Sequence, residues 1–241
     1  MTAVAGKVTR HLRERGPPRT DDASMFLRGF RRRTGRPAEE LATLFRSIVG
    51  DSRQVYPIAA DFLDHFLNGA GASRTLSQRW LRSFKVIRKA ERRNQRRFEE
   101  RLTREARRLE DGASTWVHDH WDARINAFIG TQLFYVSRMS LLNSRGSFVL
   151  ARTGPVVRVS GTVRHHWSDP YDWDRGRWVY IPRHGFVPIA VGRELVESDE
   201  ARDFLMESWH VQTLEGTCRD GRWPRRGRAD FTWSLVRAGR P

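Results

Sequence analysis

One short stretch of the chain concentrates the side chains that could do chemistry. From Gly161 to Arg177 the sequence GTVRHHWSDPYDWDRGR places two histidines, three aspartates, a tyrosine and three arginines around a proline. Crowded carboxylates repel one another unless a divalent cation or an arginine neutralises them. The stretch therefore suits hydrolysis at phosphorus, in which an aspartate holds Mg²⁺ or activates water and an arginine stabilises the phosphoryl oxygens. The same residues would also suit a solvated turn without a chemical role.

The order of these residues resembles a known signature. Gly161-Thr-Val-Arg followed by Asp169-Pro-Tyr171-Asp172-Trp173 is similar to the motif of colicin M-type bacteriocins, a Gly-x-Val-Arg strand leading to Asp-x-Tyr-Asp-Phe. Those proteins are phosphodiesterases that enter the periplasm and use Mg²⁺ to cut lipid II between undecaprenol and the pyrophosphate. The resemblance covers about residues 161–214. It implies that Asp169, Tyr171 and Asp172 are catalytic and that Asp169 is the metal ligand.

The sequence departs from the family after this motif. The family continues with a His-Arg pair, whereas this chain offers Arg175, Arg177 and the reversed pair Arg183-His184. Arg177 is the candidate for the missing catalytic arginine. The remaining basic residues are predicted to bind the substrate: Arg164, Arg175, Arg183 and His184. The implied cofactor is Mg²⁺.

The resemblance also implies a biological role. It predicts an antibacterial toxin that hydrolyses a lipid-linked pyrophosphate and so blocks peptidoglycan synthesis, with a membrane surface and an immunity protein as further partners. The N-terminal residues MTAVAGKVTRHLRERGPP lack the apolar segment of a Sec signal peptide. We therefore expect synthesis in the cytoplasm and export by another route. The site of action would be the periplasm, or the outer face of the cytoplasmic membrane, of a target cell.

The charge of the chain keeps other classes of function open. It has 44 basic and 28 acidic residues, a formal charge of +16, and a single cysteine, which excludes intramolecular disulfides. Such a chain favours anionic partners, and arginine binds phosphate in a bidentate manner. The main alternative is a basic nucleic-acid-binding protein or nuclease, supported by the Arg- and Trp-rich segment 219–228. The third hypothesis is a non-enzymatic protein that binds a partner through its helical half.

The elements that must position the motif divide the chain into three parts. Residues 1–36 lack a sustained period and are predicted to form a disordered basic leader. Residues 37–144 are predicted to be a helical domain with helices over about 37–50, 56–67, 76–111 and 114–140. Residues 145–241 alternate apolar and polar residues, which predicts a β-rich, partly open, barrel-like catalytic domain. The predicted fold class is therefore α+β.

Within the β-rich part, the pattern predicts a hairpin of strands 147–152 and 156–164 closed by Thr153-Gly154-Pro155. Further strands are expected over 178–181, 186–189, 204–214 and 229–236, with a short helix over 194–204. On this pattern His165 and His166 point to opposite faces of their strand, so at most one of them faces the site.

Two features of the helical part were candidates for binding. The long helix carries eleven basic and four acidic residues between Lys85 and Arg108. This charge suits either a solvated helix face or a surface that binds phosphates. In the fourth predicted helix, His118 and Asp122 are four residues apart and could share a metal, whereas His118 and His120 would diverge.

Overall fold

The computed structural model describes residues 37–173, 178–181, 184–188, 190–219 and 229–236, and it shows an α+β protein. The predicted leader, 1–36, lies outside these residues. The helices are α1 (Pro37–Ser52), α2 (Pro57–Asn68), α3 (Gln78–Ser83), α4 (Lys85–Arg108), α5 (Gln132–Val136) and α6 (Ala190–Glu197). The strands are β1 (Arg74–Thr75), β2 (Ser114–Asn126), β3 (Met139–Thr153), β4 (Val156–Tyr171), β5 (Trp178–Ile181), β6 (Gly185–Pro188), β7 (Phe204–Arg219) and β8 (Asp230–Leu235).

The chain divides into two compact units that alternate along the sequence. The first unit contains the described residues up to Thr75 together with Asn126–Met139 and Asp169–Met206. The second unit contains Leu76–Ile125, Ser140–Ser168 and the described residues from Glu207 onward. The predicted domain boundary between residues 144 and 145 falls inside β3, which itself belongs largely to the second unit.

The first unit has a helical and aromatic core. Helix α1 begins at Pro37 and has Glu39 and Glu40 in its first turn, where the helix dipole favours negative charge. It packs against α2 and α6, and α2 packs against α5. Phe45 of α1 and Phe66 of α2 are fully buried. The antiparallel pair β5–β6 belongs to the same unit.

The second unit is a sheet covered on one face by the long helix. Its strand order is β7-β4-β3-β2, and β8 also pairs with β7. Phe98 and Leu102 of α4 pack on Phe148 of β3 and Val163 of β4, and all four side chains are buried. The neighbouring residues in each strand point away from the helix, because side chains alternate across a strand. One face of the sheet therefore forms the core. On the other face, which we call the open face, the side chains of the described residues are largely exposed or half-buried.

The hairpin predicted from the sequence is confirmed and is longer than expected. Strands β3 and β4 pair antiparallel from Leu141↔Ser168 to Thr153↔Val156. Gly154 takes the left-handed conformation at φ 57°, which glycine adopts without a steric penalty. The first two predicted helices and the strands β5 to β8 are also confirmed.

Three helix predictions need correction. The short helix expected over 194–204 lies earlier, as α6 (Ala190–Glu197), and residue 204 already belongs to β7. The predicted helix 76–111 is interrupted at Phe84, whose extended backbone separates α3 from α4. The fourth predicted helix, 114–140, is wrong, because its first half is strand β2 and its last two residues already belong to β3. The spacing of Trp121 and Ile125 fits a helical period as well as a strand period. The period-two alternation of β-branched and aromatic residues decides the structure instead.

Candidate functional site

The motif residues lie where β4 ends. Asp169 and Tyr171 are in the last three residues of the strand, and Asp172 follows it directly. Because alternate residues share one face of a strand, Asp169 and Tyr171 project to the same side. All three residues belong to the first unit.

The glycine of the motif has a packing role. Gly161 is the cross-strand partner of Phe148 in β3. A Cβ atom at Gly161 would overlap the Ser147 carbonyl oxygen and the Phe148 side chain. The glycine is therefore required for Phe148 to fill the core of the second unit.

Asp169 has the electrostatics expected of a carboxyl group that exchanges protons. Burial raises its pKa to about 7, the Ser137 hydroxyl lowers it, and the nearby Asp172 carboxylate raises it further. Ser137 is itself buried, and its Oγ forms no hydrogen bond of regular geometry with the residues that the structure describes. A group that titrates near neutrality can accept and release a proton under working conditions, which general acid–base catalysis requires.

Tyr171 points into the aromatic core and not toward solvent. Its side chain is 8% exposed, and its ring stacks on Phe204 with the centroids 4.9 Å apart. Phe62 and Phe66 of α2 also contact the ring, at 6.4 and 5.8 Å. Burial raises the pKa of the Tyr171 hydroxyl well above its usual value. The hydroxyl therefore stays protonated, and it can act only as a neutral hydrogen-bonding group.

Trp173 shares this core. Its ring packs against Phe45 and Phe66, with centroids 5.2 and 5.5 Å away. Its Nε1 is buried and finds no hydrogen-bond acceptor among the described residues. Tyr171 and Trp173 line one small cavity of about 60 Å³ within the first unit. Its other walls are largely apolar: Ile48, Ala59, Ala60, Leu63, Val179 and Ile181.

The predicted substrate-binding residues are distributed differently. Arg164 is exposed on the face of β4 opposite to that of Asp169, and it lines a groove of the second unit. His184 lies in the first unit, where its Nε2 is 3.0 Å from Asp51 Oδ2 near the end of α1. Arg175, Arg177 and Arg183 lie outside the described residues. In the structure, Asp169 thus lies near Asp172, Tyr171 is buried, and Arg164 projects from the other face of β4.

A buried polar network in the second unit was missed by sequence reasoning. Ser144 and His165 are both completely buried and form a hydrogen bond of 2.8 Å. The other ring nitrogen of His165 lies 3.0 Å from Gln212 Oε1. Its ring stacks on that of His210, whose Nε2 is 3.3 Å from Glu91 Oε1. A serine hydroxyl with no access to solvent cannot attack a substrate, so we interpret this network as structural.

The two histidines of β2 also behave differently from the helical prediction. In a strand, His118 and His120 project to the same face, and both line the groove that contains Arg164. His118 and Asp122 are four residues apart, which separates them by roughly 13 Å along a strand. They therefore cannot share a metal, which a helical spacing would have allowed. The alternating pattern of β2 was the signal that could have revealed the groove.

The resemblance implies Mg²⁺, which needs a set of oxygen ligands. Among the described residues, no group of three or more His, Cys, Asp or Glu side chains is arranged to hold a metal. Mg²⁺, however, commonly binds through one or two carboxylates together with water and substrate phosphates. Asp169 and Asp172 lie near enough for the charge of one to raise the pKa of the other. These two carboxylates are the motif side chains that would hold such a partly hydrated ion.

Comparison with protein families, curated proteins and solved structures returns no match to this chain. Within the part of the chain that the structure describes, no helix is long and apolar enough to cross a membrane.

Proposed function

We propose that the protein is a Mg²⁺-dependent phosphodiesterase that hydrolyses the undecaprenyl-pyrophosphate linkage of lipid II and thereby acts as an antibacterial toxin. The observation that carries the proposal is the Asp169 carboxyl group, whose pKa is raised to about 7 beside a second carboxylate. The resemblance of 169–173 to the colicin M-type motif supplies the reaction class and the substrate.

The chemistry requires one proton acceptor and a means of stabilising phosphate charge. Water attacks the phosphorus that carries the lipid, its proton passes to the Asp169 carboxylate, and the bond from phosphorus to the undecaprenyl oxygen breaks. The departing oxygen takes up a proton to give undecaprenol, and the new P–OH remains on the pyrophosphate product. Asp169 and Asp172 would hold Mg²⁺, which neutralises charge on the phosphate oxygens.

Several further parts of the proposal come from the sequence and from the resemblance. Arg177 is proposed as the catalytic arginine, with Arg175, Arg183 and His184 as substrate contacts. The curvature of a partly open barrel in the β-rich half belongs here as well, as do a membrane surface, an immunity protein and action in the periplasm of a target cell. Tyr171 is proposed to support the site through its packing and through its neutral hydroxyl.

The test uses purified protein and lipid II. We expect release of undecaprenol with Mg²⁺ present and no release after chelation. Asp169→Asn and Asp172→Asn should each reduce the rate by about 10²–10⁴-fold. Asp61→Asn is the matched control, because Asp61 is an exposed carboxylate of the first unit that pairs with Arg53. Unchanged hydrolysis in both motif variants would contradict the proposal.

Tyr171→Phe separates the two roles of the tyrosine. The substitution removes the hydroxyl and preserves the ring that packs on Phe204. A loss of hydrolysis with an unchanged unfolding midpoint would assign the hydroxyl a chemical role. Full activity would limit Tyr171 to packing.

A further inference from the structure

The open face of the sheet in the second unit contains a groove of about 590 Å³. Its polar walls come from three adjacent strands: His118 and His120 of β2, Arg145 and Ser147 of β3, and Thr162 and Arg164 of β4. Helix α4 covers the opposite face of the sheet, so these side chains are left on the solvent side. None of Asp169, Tyr171 and Asp172 lines the groove.

Two arginines face each other in the middle of this groove. Arg145 and Arg164 are direct cross-strand partners, and both are exposed. Like charges in this position destabilise a sheet. In the described part of the chain, neither guanidinium group has a hydrogen bond or an ion pair. The pair is therefore available to an anion, and phosphate suits it because guanidinium groups bind phosphate oxygens in a bidentate manner.

The two carboxylates of β2 near the groove accept hydrogen bonds from other groups. Asp119 lines the groove, but its Oδ1 accepts a hydrogen bond of 2.9 Å from the backbone N–H of His120. Asp122 accepts one of 2.7 Å from the side chain of Asn143. Among the described residues, neither of them forms an ion pair with Arg145 or Arg164.

Exposed aromatic rings flank the groove on the same face. Trp116 is 66% exposed, and its ring is stacked on His118 with an interplanar angle of 8°. Trp209 of β7 is 36% exposed and packs beside His166, with the centroids 5.7 Å apart. Trp209 lies two residues before Val211, which lines the groove, so both point to the same side of β7.

We propose that this groove binds single-stranded nucleic acid, with phosphates on the Arg145–Arg164 pair and bases stacked on Trp116 and Trp209. Positive charge that follows a backbone, combined with aromatic rings that accept base faces, is the usual basis of sequence-tolerant single-strand binding. A duplex would keep its bases stacked on one another and away from the tryptophans. This binding goes beyond the proposed hydrolysis and does not depend on it.

The first experiment measures the affinity for a labelled twelve-nucleotide oligothymidine by fluorescence anisotropy at several salt concentrations. Arg145→Gln/Arg164→Gln should weaken binding at least about tenfold, since hydrogen bonds to charged groups are among the strongest in proteins. The salt dependence of log K should become shallower by about 1.4, because each phosphate contact on a single strand contributes about 0.7.

The matched control removes the same charge from another surface. Arg92 and Arg93 are exposed residues of α4, the helix on the opposite face of the sheet. Arg92→Gln/Arg93→Gln should leave the affinity within about twofold, because exposed charges beyond about 8 Å are screened at physiological salt. An equal loss in both double variants would overturn the proposal in favour of diffuse attraction to the basic chain.

The second experiment tests stacking. Oligothymidine should quench tryptophan fluorescence, and Trp116→Ala/Trp209→Ala should remove part of that quenching and weaken binding roughly five- to hundredfold. Circular dichroism of each variant shows whether it is folded, which is expected because all substituted side chains are exposed. If duplex DNA or inorganic pyrophosphate competed as well as the single strand, the groove would be a general phosphate site and the proposal would fail.

Discussion

Ser144 and His165 lie directly opposite each other on β3 and β4, and the serine Oγ is 2.8 Å from the imidazole Nδ1. Asn94 of α4 donates to the same Oγ over 2.8 Å. Gln212 Oε1 can only accept, so His165 Nε2 carries the proton and Nδ1 accepts from Ser144. Each donor of this buried chain thus faces an acceptor. Such a chain fixes the register of the hairpin, because a slip of one residue would bury unpaired groups.

The first prediction concerns Ser144→Ala. The substitution leaves His165 Nδ1 without its donor and Asn94 without one acceptor in a site closed to water, which should lower the free energy of unfolding by about 1–3 kcal/mol. Urea denaturation measures the change. Ser160→Ala is the control, because Ser160 lies on the exposed face of β4 and should change stability by less than about 0.5 kcal/mol. Equal effects would show that the buried network contributes nothing specific.

The second prediction concerns acid. Burial and then the charge of His210 lower the pKa of His165 to about 4, below its value of about 6.5 in the unfolded chain. Between these two pH values the unfolded state binds a proton that the folded state does not. Stability should therefore fall as the pH drops from about 6.5 to about 4, by on the order of 3 kcal/mol from this residue.

Two measurements check this prediction. Urea denaturation at a series of pH values gives the stability curve. An NMR titration of the folded protein should show the His165 imidazole remaining neutral until the pH approaches about 4. Titration of that ring near pH 6.5 would contradict the prediction.

The third prediction separates a catalytic Asp169 from a structural one. Its pKa is raised to about 7, so the folded state binds the extra proton between pH 3.8 and about 7, and stability is lost as the pH rises through that window. Asp169→Asn removes this ionisation. It should raise the free energy of unfolding at pH 8 by on the order of 2 kcal/mol, by about a third of that at pH 5, and change it little only below pH 3.8.

The same substitution should abolish most hydrolysis. In the wild type the rate should increase with pH as Asp169 ionises, at a pH below the value of about 7 that applies without Mg²⁺, because a bound cation favours the carboxylate. A gain in stability together with a loss of activity is typical of residues retained for chemistry. A variant that is less stable at pH 8 and equally active would instead make Asp169 a structural residue.

The fourth prediction tests the support of Trp173. Gly192 of α6 lies against the indole, and a Cβ atom there would overlap the ring. Gly192→Ala should therefore displace Trp173, cost about 1–3 kcal/mol and change the tryptophan emission spectrum. Gly50→Ala is the matched control in α1, where nothing lies within 4 Å of the added atom. That variant should gain up to about 1 kcal/mol from its higher helix propensity.

Local patterns predicted the parts of the fold that local interactions determine. Helix α1 has its proline and acidic first turn in the sequence, and the β3–β4 hairpin has its turn residues and alternation. Strand β2 was predicted as a helix because Trp121 and Ile125 satisfy both periods. The segment forms a strand because it pairs with β3 at the edge of the sheet. That pairing is a tertiary interaction, which local sequence periods do not reveal.

The candidate site was predictable only in part for the same reason. Neighbours in sequence place Asp169 near Asp172. The burial of Tyr171 comes from Phe62, Phe66 and Phe204, which approach from distant parts of the chain. The network around His165 likewise joins residues 21 to 47 positions apart. A short sequence motif cannot reveal contacts between residues so far apart in the chain.

The alternation of the two units along the chain determines which fragments can fold independently. The backbone changes unit after Thr75, Ile125, Met139, Ser168 and Met206. A single cleavage anywhere between residues 76 and 206 consequently leaves two pieces, each holding part of both units. Neither piece could complete a core alone, yet the two together could reassemble by fragment complementation. The segment 145–241, expressed in isolation, would lack the first strand of its own sheet and the helix that covers it, so activity should be sought only in the full chain.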